Sequence, residues 1–329
     1  MRRVLVTGGS GFIGSHLTEA LLERGDSVTV VDDESTGSAT NLAAVQGHER
    51  LTYVQGSVGE RELVEQLTAG MDEVYHLAAA VGVALIARKP METIERNIYP
   101  TELLLSSLRT RVQRGESVKC FLASTSEVYG KNPKDTWSED DDIVLGPTTK
   151  PRWSYGASKA IDEFMGLAAW REYGLPVVIG RFFNVVGPRQ TGAYGMVLPR
   201  FVDAALAGQP LIVHDDGQQT RCFAHVHDVV KAVLALMNTP EAVGKVFNVG
   251  SDQPISILEL ANQVVGLAGS ASKTCFQSYS AAYDDDFEDI RRRVPDLSRL
   301  KNTITYEPAF TLEGIIRQVI DAKKNQDQS

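Results

Sequence analysis

The stretch RVLVTGGSGFIGSHLTEALLERGDSVTVVDD, residues 3–33, decides the fold of this chain. An apolar run stops at closely spaced glycines, a segment with helical periodicity follows, and a second apolar run ends in two aspartates. This order of strand, glycine turn, helix, strand and acid is typical of a dinucleotide-binding unit. The spacing is G-x-x-G-x-x-G, which still permits a tight turn and close approach of a pyrophosphate to the helix start. The predicted cofactor contacts in this turn are Gly8, Gly11, Phe12, Ile13 and Gly14.

The two acids after the second apolar run bear on the choice of cofactor. Asp32 would stand at the end of a buried strand, where a carboxylate accepts hydrogen bonds from the adenosine ribose hydroxyls. The same carboxylate would repel a 2′-phosphate, so the sequence favours NAD over NADP. Asp33 strengthens that preference, although a solvated loop acid is the alternative interpretation of Asp33.

Apolar runs and helical segments keep alternating through the first half of the chain. Such alternation predicts a parallel sheet wound on both faces, with ligands at the carboxyl ends of its strands. From Gly187 the pattern loosens, but residues 228–249 have the features of a return to the sheet. We therefore expect a doubly wound α/β fold whose Rossmann domain spans residues 1–185, with a return segment near 228–250. The expected smaller, C-terminal lobe consists of residues 186–227 and 251–329.

The segment from Ala123 to Lys159 carries candidate catalytic residues. Tyr155 and Lys159 are four apart on a predicted helix, so they share one helix face. The Lys159 ammonium would favour the phenolate and lower the pKa of Tyr155 from its usual value of about 10. A tyrosine of that kind can take the proton from an alcohol. The alternative is that both residues lie on an ordinary helix surface.

Thr125, Ser126 and Glu127 stand at the end of a predicted strand, close to the same site. Thr125 can hydrogen-bond a substrate hydroxyl or the phenolate. A carboxylate in an enclosed site costs free energy, so Glu127 is either a proton carrier or buried by accident, and we favour the proton carrier.

Basic and metal-ligating residues in the second half of the chain form two further candidate groups. Phosphate recognition favours the arginine fork, so two or more of Arg189, Arg221 and Arg293 are predicted to converge on a diphosphate. Ordinary surface arginines are the alternative. Cys222, His225 and His227 resemble a metal trio, but an extended segment would place Cys222 on the face opposite both histidines. We therefore expect no metal.

The totals exclude several classes of protein. The chain has 329 residues, of which 43% are hydrophobic and 23% charged, and its formal net charge is −9. This charge argues against nucleic acids and acidic membranes as partners. Three widely spaced cysteines do not form a disulfide framework, and a cytoplasmic location is expected. We find neither a signal peptide at the N-terminus nor an apolar run long enough to span a membrane.

Seven motifs in order resemble one family over nearly the whole chain. They are TGGSGFIG (7–14), HLAA (76–79), TSEVYG (125–130), YGASK (155–159), RFFNVVGPRQ (181–190), QTRCF (219–223) and RRRVPD (291–296). Together they resemble the extended short-chain dehydrogenase/reductases that act on nucleotide sugars. KPRWSYGASK (150–159) and AAYDDDFEDIRRRVP (281–295) are most similar to the UDP-glucuronate decarboxylases, in particular to the decarboxylase half of the bifunctional aminoarabinose-pathway enzyme.

The resemblance implies roles for particular residues. Tyr155 would be the base, Lys159 would support it and the nicotinamide ribose, and Thr125 or Ser126 would contact the sugar. Glu127 and Arg221 would lie near the sugar's C5 and C6, and Asn184 and Arg293 on the diphosphate side. Further implied cofactor contacts are Ser57, Val58, Leu77, Ala78, Ala79 and Asn97. The remaining implied substrate contacts are Val81, Arg189 and Tyr283.

The resemblance also implies a homodimer, formed through the helices around residues 91–112 and 155–173. The chain departs from the decarboxylases at Met196, where they usually have an arginine, and at Ser57, where an aspartate commonly contacts adenine. The loop after His76 is more similar to that of an epimerase.

Three functions remain open at this point. The first is oxidation of UDP-glucuronate at C4 followed by loss of carbon dioxide, which yields a UDP-pentose or a UDP-4-keto-pentose. The second is 4-epimerisation of a UDP-hexose or UDP-hexuronate by the same hydride chemistry. The third is a non-catalytic NAD-sensing protein, which would be expected to lack the Tyr155–Lys159 pair.

Overall fold

A computed structural model of the chain describes residues 1–80, 89–192, 195–279 and 288–326. Its strands follow one another along the chain as β1 (Arg3–Thr7), β2 (Ser27–Asp32), β3 (Leu51–Gln55), β4 (Glu73–His76), β5 (Lys119–Thr125), β6 (Val177–Phe182), β7 (Val185–Val186), β8 (Leu211–His214), β9 (Thr220–Cys222), β10 (Ala224–His225), β11 (Lys245–Val249), β12 (Pro254–Ser256), β13 (Thr274–Gln277) and β14 (Arg292–Arg293). Seven of them form the central sheet in the order β11-β6-β5-β4-β1-β2-β3, and all of the pairings are parallel.

Helices connect these strands. They are α1 (Phe12–Glu23), α2 (Arg61–Thr68), α3 (Pro90–Gln113), α4 (Ser154–Tyr173), α5 (Val197–Leu206), α6 (Val226–Asn238), α7 (Ile257–Ala268), α8 (Ser298–Thr303) and α9 (Leu312–Gln326). Short 3₁₀ helices cover Ala39–Val45, Ser126–Tyr129, Pro151–Trp153 and Pro240–Ala242.

The sheet is covered on both faces, as the continuous apolar strands predict. Leu17 and Leu21 of α1 pack with Val229 and Val233 of α6 in one hydrophobic core. A second core contains residues of α2, α3 and α4, including Leu104. The prediction of a doubly wound α/β fold is confirmed.

The strand order reverses between β1 and β4, because the chain runs outward to β2 and β3 before it returns. In a doubly wound sheet, the carboxyl ends on either side of such a reversal leave a crevice that binds ligands. The glycine turn after β1 and the HLAA segment after β4 therefore border one crevice. The 3₁₀ turn after β5 lies at the same edge of the sheet.

The remaining strands build a smaller lobe over that edge. β12, β9 and β14 form one small sheet, and β13 pairs with β8. Helices α5, α7 and α9 pack around them in a third hydrophobic core. Between segments of this lobe the chain returns to the central sheet, where β11 pairs with β6.

Candidate active site

The glycine turn after β1 leaves room for a phosphate group. Gly8 has a φ of +70°, and a Cβ there would lie 2.8 Å from the backbone nitrogen of Ala78. A Cβ on Gly14 would overlap the carbonyl oxygen of Gly8. Gly11 caps helix α1 without a side-chain hydrogen bond, so the first N–H groups of the helix are available to an anion. These residues fit the pyrophosphate of a dinucleotide.

Asp32 is fixed at the end of β2. Its Oδ2 accepts a hydrogen bond from the backbone N–H of Ser10 (3.0 Å), and its Oδ1 accepts one from Glu34 (2.8 Å). The carboxylate lines the crevice, where it could accept hydrogen bonds from the hydroxyls of a ribose. Asp33 lies at the rim of the cavity in an exposed loop, with its carboxylate 3.5 Å from the guanidinium of Arg96.

One cavity of about 510 Å³ runs from the glycine turn to the smaller lobe. Most of the predicted site residues line it: Gly8, Gly11, Phe12, Ile13, Gly14, Asp32, Asp33, Ser57, Val58, Leu77, Ala78, Ala79, Thr125, Ser126, Glu127, Tyr155, Lys159, Asn184, Arg189, Arg221 and Arg293. Asn97 instead supports the wall, since its amide contacts the backbone of Ala80 and the Ser158 hydroxyl. Val81 and Tyr283 lie outside the described residues.

Tyr155 and Lys159 lie in the cavity wall on α4, but their electrostatics differ from the prediction. The ammonium of Lys159 pairs with the carboxylate of Asp162 at 2.8 Å. Burial and the negative charge of Glu127 raise the pKa of Tyr155, whereas a hydrogen bond with Thr125 lowers it. The prediction of a lowered Tyr155 pKa is therefore wrong, because burial, which raises the pKa, is the largest contribution.

Glu127 is held between two arginines. Its Oε2 lies 2.6 Å from Nη1 of Arg152, and its Oε1 lies 2.6 Å from Nη2 of Arg293. Burial would raise the pKa of Glu127, but these arginines together with Arg221 lower it to about 2. The carboxyl therefore carries no proton near neutral pH, so Glu127 is a counter-ion and not a loaded proton carrier in this state.

Arg221 extends this group of charges. Its Nη2 contacts both carboxylate oxygens of Asp289, at 3.0 and 3.1 Å, and the Tyr279 hydroxyl donates to Oδ2 of Asp289 at 2.5 Å. The electrostatic neighbours of Arg293 are Glu127, Arg221, Arg152 and Asp289. We refer to Glu127, Arg152, Arg221, Asp289 and Arg293 as the arginine cluster.

Two of the three candidate arginines lie together, as the prediction of two or more converging requires, but the diphosphate itself stays a prediction. Arg221 and Arg293 converge, but on Glu127 and Asp289. Arg189 lies apart from them against α1, where its Nη2 is 2.6 Å from Glu19. Asn184 is positioned beside them by a hydrogen bond from its amide to the carbonyl of Cys222 (2.9 Å).

Sequence analysis missed Arg152, Asp162 and Asp289. Arg152 stands one helical turn before Tyr155, and Asp162 stands one turn after Lys159, so the i,i+3 spacing was the available signal. No local signal exists for Asp289, because its partner Arg221 is far away in sequence.

The histidines at the start of α6 do not form a metal site with Cys222. His225 ends β10, while His227 belongs to α6, so the segment is not extended throughout. Nε2 of His227 lies 3.2 Å from Nδ1 of His16. Within residues 1–80, 89–192, 195–279 and 288–326, no three His, Cys, Asp or Glu side chains are arranged to hold a metal ion.

Comparison with known proteins identifies similar sequences. The model of the NAD dependent epimerase/dehydratase family matches residues 4–250. UDP-N-acetyl-alpha-D-glucosaminuronate decarboxylase of Bacillus cytotoxicus is 40% identical over 320 residues, which cover 97% of both chains. UDP-glucuronic acid decarboxylase 1 of Xenopus tropicalis is 35% identical, and the match covers 97% of this chain and 71% of the relative.

Solved structures are similar as well. UDP-glucuronic acid 4-epimerase from Bacillus cereus, in complex with UDP-glucuronic acid and NAD, has a TM-score of 0.88 at 26% identity. The match covers 98% of this chain and 99% of the epimerase. UDP-glucose 4-epimerase of Thermus thermophilus, in complex with NAD, has a TM-score of 0.84 at 29% identity, with 98% and 99% covered. No helix in the part of the chain that the structure describes is long and apolar enough to cross a membrane.

Proposed function

The chain belongs to the NAD dependent epimerase/dehydratase family, and from that premise we propose that it is a UDP-uronate decarboxylase. It is an NAD-dependent enzyme, and its relatives at 35–40% identity are UDP-uronate decarboxylases. The proposed substrates are UDP-glucuronate and its 2-acetamido analogue, since relatives named for each are similar over nearly the whole chain. The proposed product is a UDP-pentose or the corresponding 4-keto-pentose.

The observation that carries this proposal is the charge of the arginine cluster. Among the described residues, three guanidiniums share two carboxylates there, so the cluster has one more positive than negative charge. An uncompensated buried charge is unfavourable, and a substrate carboxylate would neutralise it. A hexuronate supplies that carboxylate at C6, whereas a neutral hexose does not.

The same cluster accounts for the absence of an arginine at Met196. Met196 lines the cavity just before α5. We propose that Arg152, Arg221 and Arg293 bind the C6 carboxylate instead. Glu127 and Arg293 of this cluster are both electrostatic neighbours of Tyr155, so the cluster lies beside the proposed base.

Tyr155 is the proposed base at the sugar's C4 hydroxyl. NAD, when bound, supplies reversible hydride acceptance at C4. Thr125 lowers the pKa of Tyr155 by hydrogen bonding, and the charge of Arg293 lowers it further. Lys159 is the proposed support for Tyr155 and for the nicotinamide ribose. Removal of the hydroxyl proton by Tyr155 accompanies oxidation of C4 to a ketone.

Loss of carbon dioxide then follows from the position of the ketone. The C4 ketone is β to the C6 carboxylate, so the C5–C6 bond breaks and its electron pair moves into the C4 enolate. A proton must afterwards return to C5. Sharing Arg152 and Arg293 with the substrate carboxylate would weaken their hold on Glu127, raise its pKa, and let it relay that proton, directly or through water.

The second candidate is a 4-epimerase acting on a UDP-hexuronate. The likeness to the epimerase solved with UDP-glucuronic acid and NAD favours it, because an epimerase also forms the C4 ketone. The two functions differ in the fate of the carboxylate, which an epimerase retains. A non-catalytic NAD-sensing protein would convert no nucleotide sugar.

Product analysis separates these functions. The purified protein is incubated with NAD and, in separate reactions, UDP-glucuronate, UDP-N-acetylglucosaminuronate or UDP-glucose. Decarboxylation gives a product lighter than a uronate substrate by one carbon dioxide, while epimerisation gives an isomer of unchanged mass. An isomer from the uronates, or conversion of UDP-glucose alone, would contradict the proposal.

We propose that the protein is a homodimer joined through α3 and α4. These two helices pack side by side and leave large apolar side chains in solvent. Phe164 is 67% exposed, Tyr99 50% and Ile161 43%. A surface of this kind on adjacent helices is suited to the same surface of a second copy.

The internal division of the chain and its location are also proposals. Residues 1–185 and 228–250 would form the NAD-binding domain, and the remainder would form the sugar-binding lobe. A cytoplasmic location is supported by Cys120, Cys222 and Cys275, which are all free thiols. Cell fractionation and separate expression of residues 1–185 would test these two proposals.

A further inference from the structure

Asp162 lies one helical turn beyond Lys159 on α4. Lys159 is 3% exposed and Asp162 is 2% exposed, so their 2.8 Å ion pair is shielded from solvent. Burial raises the pKa of the Asp162 carboxyl, whereas the Lys159 ammonium and the Thr101 hydroxyl on the packed helix α3 act in the opposite direction. The carboxylate therefore lies in the seam between two helices, behind the lysine.

The hydrogen bonding of this carboxylate is incomplete. Its Oδ1 is buried and makes no hydrogen bond of normal geometry, and the nearby Thr101 hydroxyl donates to the carbonyl of Asn97 (2.8 Å). The neighbouring acid on α4, Glu163, is instead satisfied by the fork of Arg181 and by Ser124. A half-satisfied buried carboxylate is unfavourable for folding, so its position is better explained by its partner, Lys159.

We propose that Asp162 is a positioning residue that fixes the ammonium of Lys159 in the cavity wall. This inference rests on the proposed role of Lys159 in supporting Tyr155 and the nicotinamide ribose. A lysine side chain has many rotamers, and a buried partner on one side removes most of that freedom. The ammonium is then held in one position in the cavity wall.

Asp162 also offsets the charge of Lys159 as Tyr155 experiences it. The negative charge of Asp162 raises the pKa of Tyr155, in the same direction as Glu127, while Arg293 acts in the opposite direction. The buried ion pair is neutral as a whole. Lys159 can therefore act mainly by directed hydrogen bonds, which makes its position decisive.

A double-mutant cycle tests the proposal on NAD binding as well as on turnover. In the parent, Asp162→Ala is expected to raise the Kd for NAD, measured by calorimetry on the cofactor-free protein, about tenfold. It is also expected to lower kcat about tenfold and leave KM for the UDP-uronate unchanged. In the Lys159→Met background, Asp162→Ala should change neither Kd nor kcat. Asp162→Asn retains an oxygen acceptor and should recover most of both losses.

Glu163→Gln is the matched control, because Glu163 is the adjacent buried acid on the same helix. It should lower the melting temperature but change NAD binding equally in both backgrounds. Two outcomes overturn the proposal: Asp162→Ala has the same effect with and without Lys159, or it has no effect in the parent. If the parent does not decarboxylate UDP-uronates, the proposed function fails, while the cycle on NAD binding still decides the role of Asp162.

Discussion

Glu127 shows how the neighbours of one carboxyl group decide what it can do. Burial raises the pKa of Glu127, yet two guanidiniums at 2.6 Å outweigh burial and hold the pKa at about 2. The folded-state pKa lies below the ordinary value of 4.5, so ionisation of Glu127 stabilises the fold. That stabilisation is fully present above about pH 4.5 and is lost as the pH falls toward 2.

We predict that Glu127→Gln lowers the free energy of unfolding by about 3 kcal/mol near neutral pH. The fall in the Glu127 pKa from 4.5 to about 2 corresponds to an energy of this size, and in the variant Arg152 and Arg293 lose their charged partner. Between pH 5 and pH 2, the free energy of unfolding should fall less steeply in the variant than in the parent. Urea denaturation at several pH values measures both effects. Glu313→Gln, which breaks an exposed ion pair with Arg317, should change neither. Equal stability of Glu127→Gln and the parent at pH 7 would contradict the assignment of this ion pair.

Arg152 gives a second prediction at the same scale. Arg152→Ala should raise KM for a UDP-uronate about tenfold to a hundredfold, because a charge-assisted contact to the C6 carboxylate is lost. The Kd for NAD should stay unchanged, since the proposed partner of Arg152 is the sugar carboxylate. Arg291→Ala, which removes an exposed arginine paired with Asp216, is the control. A raised Kd for NAD together with an unchanged KM for the UDP-uronate would contradict the prediction, because Arg152 would then act on the cofactor and not on the sugar.

The sequence predicts which residues line the site better than it predicts their charge states. Tyr155, Lys159 and Thr125 could be found from a four-residue spacing and a strand end. The raised pKa of Tyr155 could not, because it depends on burial and on Glu127. Asp162 is local to Lys159, but spacing alone does not reveal that the pair is buried.

At the scale of elements, the glycine turn between β1 and α1 shapes the cofactor site. Its backbone passes so close to Ala78 after β4 that no side chain fits at Gly8. The sequence predicts this unit well, because its strands and helix are contiguous. It predicts the start of α6 less well, since the alternation of residues 222–227 is shared between two short strands and a helix end.

We predict that Gly8→Ala weakens NAD binding about a hundredfold or more, because the added methyl group would displace the backbone of the turn from its position beside Ala78. Calorimetry on the cofactor-free protein measures this Kd. Gly47→Ala is a matched control, since Gly47 has a φ of +79° but no atom within 4 Å of the added carbon. Gly47→Ala should lower the stability of the protein and leave the Kd for NAD unchanged. If both variants bound NAD equally weakly, the strain of a side chain at a positive φ, rather than the close approach to Ala78, would explain the weaker binding.

At the scale of the whole molecule, the arginine cluster is assembled from distant parts of the chain. Arg152 precedes α4, Arg221 lies on β9, and Arg293 lies on β14, which pairs with β9. This pairing joins segments about 70 residues apart, and strand-pairing of that range leaves no local pattern in the sequence. Hence the sequence alone does not indicate that Arg293 lies beside Glu127.

The exposed apolar surface of α3 and α4 leads to a prediction about the dimer. Phe164→Glu should convert a dimer into a monomer, because a charge would be buried in an apolar interface. Sedimentation velocity measures the mass. Phe276→Glu is the control, because Phe276 is 57% exposed on β13 in the other lobe and should leave the dimer intact. A parent protein that sediments as a monomer at micromolar concentration would contradict the proposed interface.

The fate of the sugar's carboxylate tests the central claim most directly. UDP-glucuronate labelled with ¹³C at C6 is incubated with the protein and NAD in a sealed vessel, and the released gas and the nucleotide sugar are analysed. Our account predicts that the label leaves as carbon dioxide and that the nucleotide sugar retains none. A labelled carboxylate that stays on the sugar, with the configuration at C4 inverted, would contradict it.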